Sequence, residues 1–232
     1  MKVKALFITT LGLLLMSGTT WSADPSLQTE KQKLGYALGL QAVQSIAGIG
    51  KDELDIETFK QGVSDALSGA QIKLSPQETQ QVLMALQKKM QDRYMAVVKR
   101  NQKAGEGYLS ANKKKKGVKT LKSGIQYTVI KSGKGKKPKI NDDVRVHYEG
   151  RLVNGTVFDS SFVRKVPATF KLAPNALIKG WVEVLPEMQT GDTWEVAIPQ
   201  NLAYGTRGKP PTIGPAETLI FKIELLEVNP KK

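Results

Sequence analysis

Histidine and cysteine, on which many enzymes rely for nucleophilic and metal-assisted chemistry, are scarce in this sequence. His147 is the only histidine, and there is no cysteine. A Ser-His-Asp triad would need that histidine beside a Gly-x-Ser-x-Gly elbow, which does not occur. There is no Walker A motif or complete dinucleotide-binding glycine motif, and the lack of histidine and cysteine argues against zinc or other transition metals. The sequence therefore predicts no cofactor and no metal, and it argues against this type of hydrolase.

The single histidine is itself predicted to lie away from any binding cavity. In the run from Val144 to Glu149, strand alternation places Tyr148 on one face and His147 on the other. We therefore expect a surface histidine, directed away from whatever cavity Tyr148 lines.

The pattern that indicates a function is a set of aromatic and aliphatic residues between turn residues in the C-terminal half. The five segments are Val146-His147-Tyr148, Val157-Phe158-Asp159-Ser160-Ser161, Leu177-Ile178-Lys179-Gly180-Trp181, Leu202-Ala203-Tyr204-Gly205 and Thr218-Leu219-Ile220-Phe221. In this order and spacing they resemble FKBP-type peptidyl-prolyl cis/trans isomerases across nearly all of residues 120–228. The segments Lys33-Leu34-Gly35-Tyr36-Ala37-Leu38-Gly39, Leu67-Ser68-Gly69-Ala70-Gln71 and Ser123-Gly124-Ile125-Gln126-Tyr127 resemble the dimerising half of macrophage infectivity potentiator (Mip) proteins.

This resemblance implies a half-barrel sheet around a short helix, with a shallow apolar pocket between them. Trp181 would form the floor on which a substrate proline ring rests. The walls would come from Tyr148, Phe158, Phe170, Leu177, Ile213 and Phe221. The Ile178 N–H and the Tyr204 hydroxyl would hold substrate carbonyls, and Asp159 would accept a hydrogen bond. The implied ligands are proline-containing polypeptides and macrolide inhibitors such as rapamycin.

Prolyl isomerisation suits a site without acids, bases or metals. Rotation about an X-Pro bond meets a barrier of about 18–20 kcal/mol because it breaks amide resonance. The twisted transition state has less charge separation than the planar amide, so an apolar, water-poor pocket favours it. Tyrosine and backbone donors can hold the displaced carbonyl. The residues that this chain lacks are therefore residues that this reaction does not use.

Two positions depart from the family pattern. Ala168 stands where many relatives carry a pocket phenylalanine, and Lys209 stands in a loop where a related single-domain protein has histidine. These departures concern substrate preference and macrolide affinity rather than the activity.

The N-terminal third is predicted to be helical. Apolar residues recur at helical spacing between Leu27 and Gly69, which indicates two short amphipathic helices, the second preceded by the N-cap Asp55. Ser75-Pro76-Gln77-Glu78 then forms a capping box that starts a third helix. If it continued to Ala111, this helix would be about 54 Å long, at roughly 1.5 Å per residue.

The apolar stripe of the third helix includes Val82, Leu86, Met90 and Tyr94. Two short helices cannot cover so long a stripe, and an uncovered stripe usually marks an interface. We therefore predict a homodimer through the N-terminal domain. The alternative is a monomeric three-helix core with a frayed tail.

The C-terminal half is predicted to be mainly sheet. Period-two alternation indicates strands at 125–131, 144–151, 193–198 and 218–228, a hairpin turn at Asn154-Gly155 and one helix within 176–188. The predicted fold class is an all-α dimerisation domain with a long connecting helix, followed by an α+β domain with an antiparallel half-barrel sheet around one short helix. The predicted domains are a signal peptide (1–23), the dimerisation domain (24–75), the connecting helix (76–116) and the isomerase domain (117–232).

The beginning of the chain is typical of a secretory signal. A basic start at Lys2 and Lys4 is followed by an apolar run to Met16 and by small residues down to Ala23. The run is short of the roughly 20 residues that span a bilayer, so a retained anchor is the weaker alternative. We predict an exported protein that is periplasmic, associated with the outer membrane or secreted.

The net charge of +14 is concentrated in one stretch, because residues 101–139 carry +11 and residues 140–232 are neutral. Lysine runs usually keep a linker or helix end hydrated, and we expect no nucleic acid to bind. Contact with anionic lipid or polysaccharide, and hence a peripheral association with the envelope, is the alternative.

The predicted function is isomerisation that assists the folding of exported proteins. A role in infection is implied only by the Mip resemblance. One alternative is an envelope chaperone or binding module with incidental isomerase activity, and another is an adhesin that uses the basic stretch.

Overall fold

The computed structural model describes residues 26–45, 49 and 53–230. These residues form two compact units that divide between Lys73 and Leu74, the N-terminal unit and the C-terminal unit. The predicted signal peptide lies outside the described residues, and the predicted domain boundaries stay predictions. None of the described helices has the length and apolar character needed to cross a bilayer.

The described part of the N-terminal unit contains two helices, α1 (Glu30–Ser45) and α2 (Ile56–Ser68). The carboxylate of Asp55, the N-cap of α2, accepts a hydrogen bond from the Thr58 N–H at 2.7 Å. The helix ends at Gly69, which has a left-handed φ of 68°. The two helices and the N-cap of α2 confirm the sequence prediction. No residue of α2 is buried, and the described side chains of α1 are exposed.

The C-terminal unit begins with α3 (Pro76–Asn112), a helix of 37 residues. It starts with the predicted capping box, in which Ser75 Oγ accepts from the Glu78 N–H at 3.1 Å and the Glu78 carboxylate accepts from the Ser75 N–H at 2.8 Å. The helix continues through Gly105 and ends at Asn112. Val98 is the first of its residues to be buried, so the rest of the unit encloses α3 only in its last part.

The remainder of the C-terminal unit is a seven-stranded antiparallel sheet with short helices. The strands are β1 (Lys119–Thr120), β2 (Gln126–Lys131), β3 (Asp143–Leu152), β4 (Val157–Ser160), β5 (Ala168–Lys171), β6 (Thr193–Ile198) and β7 (Leu219–Val228). The helices are α4 (Ser161–Arg164) and α5 (Lys179–Val184). The strand order is β1-β2-β6-β7-β3-β4, and β5 pairs with β3. The four predicted strands match β2, β3, β6 and β7 to within one residue, whereas β1, β4 and β5 were not predicted as strands.

Strand β3 shows how the sheet positions the functional residues. Its burial alternates along all ten residues, with Val144, Val146 and Tyr148 on the core face. Opposite them on β7 lie residues such as Ile223, which pairs with Tyr148 and is fully buried. The predicted hairpin after β3 is confirmed, because Leu152 N–H donates to the Thr156 carbonyl at 2.9 Å.

The structure differs from the prediction in two places. The helix expected within 176–188 occupies only Lys179–Val184, and a 3₁₀ turn that contains a proline, Leu185–Glu187, follows it. The basic stretch is part of the C-terminal unit rather than a linker between domains. Residues up to Asn112 belong to α3, and the later lysines lie in the turns after this helix, in β1 and β2, and in the loop between β2 and β3.

Candidate functional site

Trp181 lines an open cavity of about 260 Å³ in the C-terminal unit. Its side chain is buried, and three aromatic rings stand almost perpendicular to it. Ring-centroid distances to the indole are 5.4 Å for Tyr148, 5.6 Å for Phe170 and 5.3 Å for Phe221. Such edge-to-face contacts are favourable and restrict the rings. Strands β3, β5 and β7 and helix α5 thus build one preformed aromatic surface.

The structure brings together all ten residues to which the sequence gave a site role. The cavity is lined by Tyr148, Phe158, Asp159, Phe170, Leu177, Ile178, Trp181, Tyr204, Ile213 and Phe221. Three further lining residues, Ala176, Lys209 and Thr212, were not assigned a role. Residues far apart in the sequence meet here because β3 and β7 are neighbours in the sheet.

Asp159 and Tyr148 of the cavity lining share a hydrogen-bond network with Arg164. The Tyr148 hydroxyl donates to one carboxylate oxygen of Asp159, and the Arg164 guanidinium donates to the other. Arg164 also donates to the Tyr148 hydroxyl at 3.1 Å, and its guanidinium lies over the Tyr148 ring at 5.8 Å. This closed network holds Tyr148 and Asp159 in place beside the aromatic surface.

The network also sets the protonation states of these groups. Burial raises the pKa of Tyr148, and the hydrogen bond to Asp159 raises it further. Burial alone would raise the pKa of Asp159, but the hydrogen bonds from Tyr148 and Arg164 outweigh it and hold that pKa below its ordinary value. At neutral pH the tyrosine is therefore a hydroxyl donor and Asp159 an ionised acceptor.

Sequence reasoning missed Arg164. The only signal was a cation five residues after Asp159. Its guanidinium reaches the carboxylate because Ser160 caps the one-turn helix α4, accepting from the Val163 N–H at 3.3 Å. A helix of four residues has no periodicity that could be detected beforehand.

The start of α5 contributes backbone as well as side chains. Leu177 and Ile178 line the cavity, and Ile178 is the N-cap with an extended ψ of 148°. Within the part of the chain that the structure describes, the Ile178 N–H makes no backbone hydrogen bond. It is therefore a donor that a ligand can use.

Gly150, on β3, is a residue that the site needs and that the sequence analysis missed. A Cβ at this position would lie 2.5 Å from Phe158 Cζ and 2.8 Å from Phe221 Cε1. These two rings meet edge to face at 5.7 Å and form one wall of the cavity. A glycine in the middle of a strand was the available signal, since it often marks a close approach.

The opposite wall comes from the loop before β7. Lys209 and Ile213 pair through two backbone hydrogen bonds of 2.8 and 3.0 Å, which bring Ile213 to the cavity. The Lys209 ammonium lies over the Tyr204 ring, 5.7 Å from its centroid. The lysine, which departs from the family pattern, thus places a positive charge beside Tyr204 in the cavity lining.

His147 lies outside the cavity, as the strand alternation predicts, but it is half-buried rather than on the surface. Its Nδ1 is 3.0 Å from Ser161 Oγ, and its ring stacks on Phe162 at 4.8 Å. Among the described residues, no cluster of three or more metal-ligating side chains could hold an ion.

Comparison with known proteins identifies the class to which this fold and cavity belong. Residues 134–226 match the family described as FKBP-type peptidyl-prolyl cis-trans isomerase, and residues 31–129 match the domain amino terminal to it. The chain belongs to this family and is an enzyme of that class. It is 42% identical to the peptidyl-prolyl cis-trans isomerase Mip of Coxiella burnetii, over 99% of this chain and 100% of that protein. It is 39% identical to the outer membrane protein MIP of Legionella longbeachae, over 99% of each chain.

A solved structure extends the likeness to the fold. The crystal structure of FkpA from Escherichia coli aligns with a TM-score of 0.63 and 36% identity, over 88% of this chain and 99% of that chain. The predicted family, its Mip-like branch and the predicted fold class are therefore confirmed.

Proposed function

We propose that the cavity around Trp181 is the place where this enzyme rotates X-Pro bonds. The observation that supports this is the indole surrounded by three perpendicular rings, which offers a proline ring an apolar, rigid surface. A twisted amide is less polar than a planar one, so such a surface favours the transition state over the ground state. The proline ring would rest on Trp181, with Tyr148, Phe158, Phe170, Leu177, Ile213 and Phe221 around it.

Polar groups of the cavity lining would hold the carbonyls next to the rotating bond. We propose the Ile178 N–H and the Tyr204 hydroxyl as donors, because both residues line the cavity. Asp159, kept ionised by Arg164, would act as an acceptor and keep the Tyr148 ring in place. None of these groups needs to exchange a proton during the reaction.

A proline-peptide isomerisation assay tests these roles. Tyr204→Phe should lower kcat/KM by up to about tenfold, since one hydrogen bond is worth about 0.5–1.5 kcal/mol. Asp159→Ala should cost at least as much because it also releases Tyr148. Tyr127→Phe and Asp143→Ala are matched controls, since neither residue lines the cavity. Wild-type rates in both site variants would argue against the assignment.

Macrolide binding is a second test of the same cavity. We propose that rapamycin occupies it and changes Trp181 fluorescence, because the indole lines the cavity. Trp194, which stacks on Tyr127 at 4.3 Å outside the cavity, can be replaced by phenylalanine to isolate the signal. A Trp194→Phe protein with no saturable change on titration would show that the cavity does not accept the macrolide.

We further propose that the protein is exported and acts on proline-containing polypeptides of the envelope, in the periplasm, at the outer membrane or outside the cell. Residues 1–23 have the pattern of a signal peptide. A relative with 39% identity over 99% of this chain bears the name outer membrane protein. N-terminal sequencing of the protein from an envelope fraction should find the chain starting at Ala23 or Asp24. A retained Met1 in the cytoplasm would contradict export.

We propose a homodimer formed through the N-terminal unit, because apolar side chains such as Leu34, Leu38 and Leu67 are exposed in the single chain. The same exposed residues favour a chaperone function as a second candidate. Asp159→Ala should then still suppress the aggregation of an unfolded protein while its isomerase activity falls. Loss of both properties together would leave no support for a separate chaperone surface.

A role in infection rests only on the resemblance to Mip.

A further inference from the structure

One wall of the proposed isomerase site belongs to a loop whose shape is fixed internally. The pocket loop, residues 205–216, carries Lys209, Thr212 and Ile213 of the cavity lining. Besides the Lys209–Ile213 pair, the Ala216 N–H donates to the Gly205 carbonyl at 2.8 Å and closes the base of the loop. These bonds set the shape of the loop, but they do not determine where it lies relative to the cavity.

Two side chains of α3 hold the pocket loop near its two ends. The Tyr94 hydroxyl donates to the Thr206 carbonyl at 2.6 Å, and Asn101 Nδ2 donates to the Pro215 carbonyl at 2.9 Å. The two residues are two helical turns apart, so they lie on the same face of α3. Arg100 Nε donates to Asn101 Oδ1 at 3.3 Å, which orients the amide so that its NH₂ group faces the loop.

We infer that Asn101, assisted by Tyr94, is a positioning residue of the isomerase site and sets the place of the Ile213 wall. The inference rests on the proposed function of the cavity. Asn101 is only 7% exposed, so its amide cannot exchange the Pro215 carbonyl for bulk water without a structural change. Helix α3 would then be part of the site, although none of its residues lines the cavity.

The expected effect of losing this contact is on substrate binding. Without the Asn101–Pro215 hydrogen bond the pocket loop samples other positions. Only a fraction of the molecules then has Ile213 in the position that binds substrate. Apparent affinity then falls by the competent fraction, whereas the rate within the bound complex stays the same. A positioning role thus predicts a higher KM at unchanged kcat.

Asn112 provides a matched control on the same helix. It is also 7% exposed, and its Nδ2 donates to Gln126 Oε1 at 3.0 Å, on β2 and away from the cavity. We would measure kcat and KM for a proline peptide by NMR exchange, and the unfolding midpoint in urea, for Asn101→Ala and Asn112→Ala in the full mature chain. Both should lower the midpoint, but only Asn101→Ala should raise KM, by up to about tenfold for one lost hydrogen bond.

Two further variants keep the test valid if an alanine variant folds poorly, and Tyr94→Phe is the milder of them. Asn101→Asp keeps the shape and the acceptor for Arg100 but removes the donor to Pro215, so it should raise KM as alanine does. Tyr94→Phe removes only a hydroxyl from a partly exposed side chain and should raise KM by about twofold to fivefold.

The outcomes separate the two proposals. A wild-type KM in Asn101→Asp and Tyr94→Phe, with Tyr204→Phe still impaired, overturns the inference and leaves the proposed site intact. Equal rises of KM in Asn101→Ala and Asn112→Ala also overturn it, because they would reflect lost stability. If Tyr204→Phe and Asp159→Ala were unaffected as well, the proposed site would be wrong and the inference with it.

Discussion

Apolar side chains are mostly exposed in the described part of the N-terminal unit, whereas the C-terminal unit buries many of them after residue 97. Between residues 26 and 97 no described residue is buried. From Val98 onward the helix α3 and the sheet enclose a core in which residues such as Leu185 and Ile223 are fully inaccessible. Helix α3 contains both situations, since its first part is exposed and its last part packs against the C-terminal unit.

This contrast shows what an amphipathic pattern can and cannot reveal. The spacing identifies the apolar face of a helix, but whether that face is covered depends on what the rest of the chain brings to it. Exposed apolar surface costs roughly 25 cal/mol per Å² relative to burial. The exposed faces of α1, α2 and the first part of α3 therefore support the proposed dimer, whereas the C-terminal unit buries apolar side chains in a core of its own.

The largest expected effect sharpens this contrast between the units. Leu185→Ala, at a fully buried position, should lower the free energy of unfolding by about 2–5 kcal/mol. Leu67→Ala, at a side chain that is 86% exposed, should leave the transition followed by Trp181 and Trp194 fluorescence within about 0.5 kcal/mol of wild type. Urea titrations measure both. Similar losses in the two variants would mean that the units are not energetically distinct.

The next prediction concerns what covers the exposed helices. The mature chain should sediment as a dimer, and Leu38→Glu in α1 should weaken the dimer by at least about tenfold. Burying one leucine is worth about 1.5–3 kcal/mol, and each 1.4 kcal/mol is a factor of ten. Gln41→Glu is the control, since it adds the same charge to the same helix without removing an apolar group. A monomeric wild-type chain in sedimentation equilibrium would contradict the proposed dimer.

A smaller effect is expected at the exposed end of α3. Ser75→Ala removes half of the capping box and should cost about 1 kcal/mol of local helix stability. No buried residue supports this end, so amide hydrogen exchange should speed up in the first turns of α3 and remain unchanged after Val98. Gln77→Ala, in the same turn but outside the capping box, should have no such effect. Faster exchange along the entire helix would show that its two parts are coupled.

The smallest predicted effect is a pH dependence where the pocket loop leads into β7. Burial raises the pKa of Glu217, and Arg100 offsets this only in part. Because the folded-state pKa is raised, the stability that the protonated carboxyl contributes is complete below pH 4.5 and is lost as the pH rises through the folded value. Glu217→Gln should therefore be more stable than wild type at pH 7, by less than about 1 kcal/mol. At pH 4 the two proteins should unfold at the same urea concentration, and a difference that persists there would contradict this cause.

Much of this architecture could be predicted because it is encoded locally. Helix caps such as Asp55 and Ser75, and the long alternating strands β3 and β7, leave a signal within a few residues of sequence. Strands β1 and β5 leave none, since they have two and four residues and exist because β2 and β3 offer them hydrogen bonds. Pairing between distant segments cannot be read from local periodicity.

The residues of the site also divide into those that local sequence could reveal and those that depend on tertiary structure. Its ten expected residues could be placed through the spacing of motifs, which the family resemblance supplied. Arg164 and Asn101 could not, because each acts through a partner fixed by tertiary structure: Asp159 for one and the Pro215 carbonyl for the other. An asparagine on a polar helix and an arginine beside a turn are usually hydrated. The sequence therefore gave no sign that Asn101 and Arg164 differ from ordinary surface residues.

The fit between α3 and the sheet restricts how the helix can move. At Gly105 a Cβ would lie 2.3 Å from Thr218 Oγ1, so this position has room only for a bare backbone. Shifting α3 along its axis by one turn, about 5.4 Å, would bring Asn101 or Leu109 to the position of Gly105. Either side chain would then collide with Thr218, the residue before β7. The helix is therefore locked against travel along its own axis. We therefore expect a displacement of the part of α3 before Tyr94 to reach the sheet as a tilt or a bend of the helix rather than as a shift along its axis.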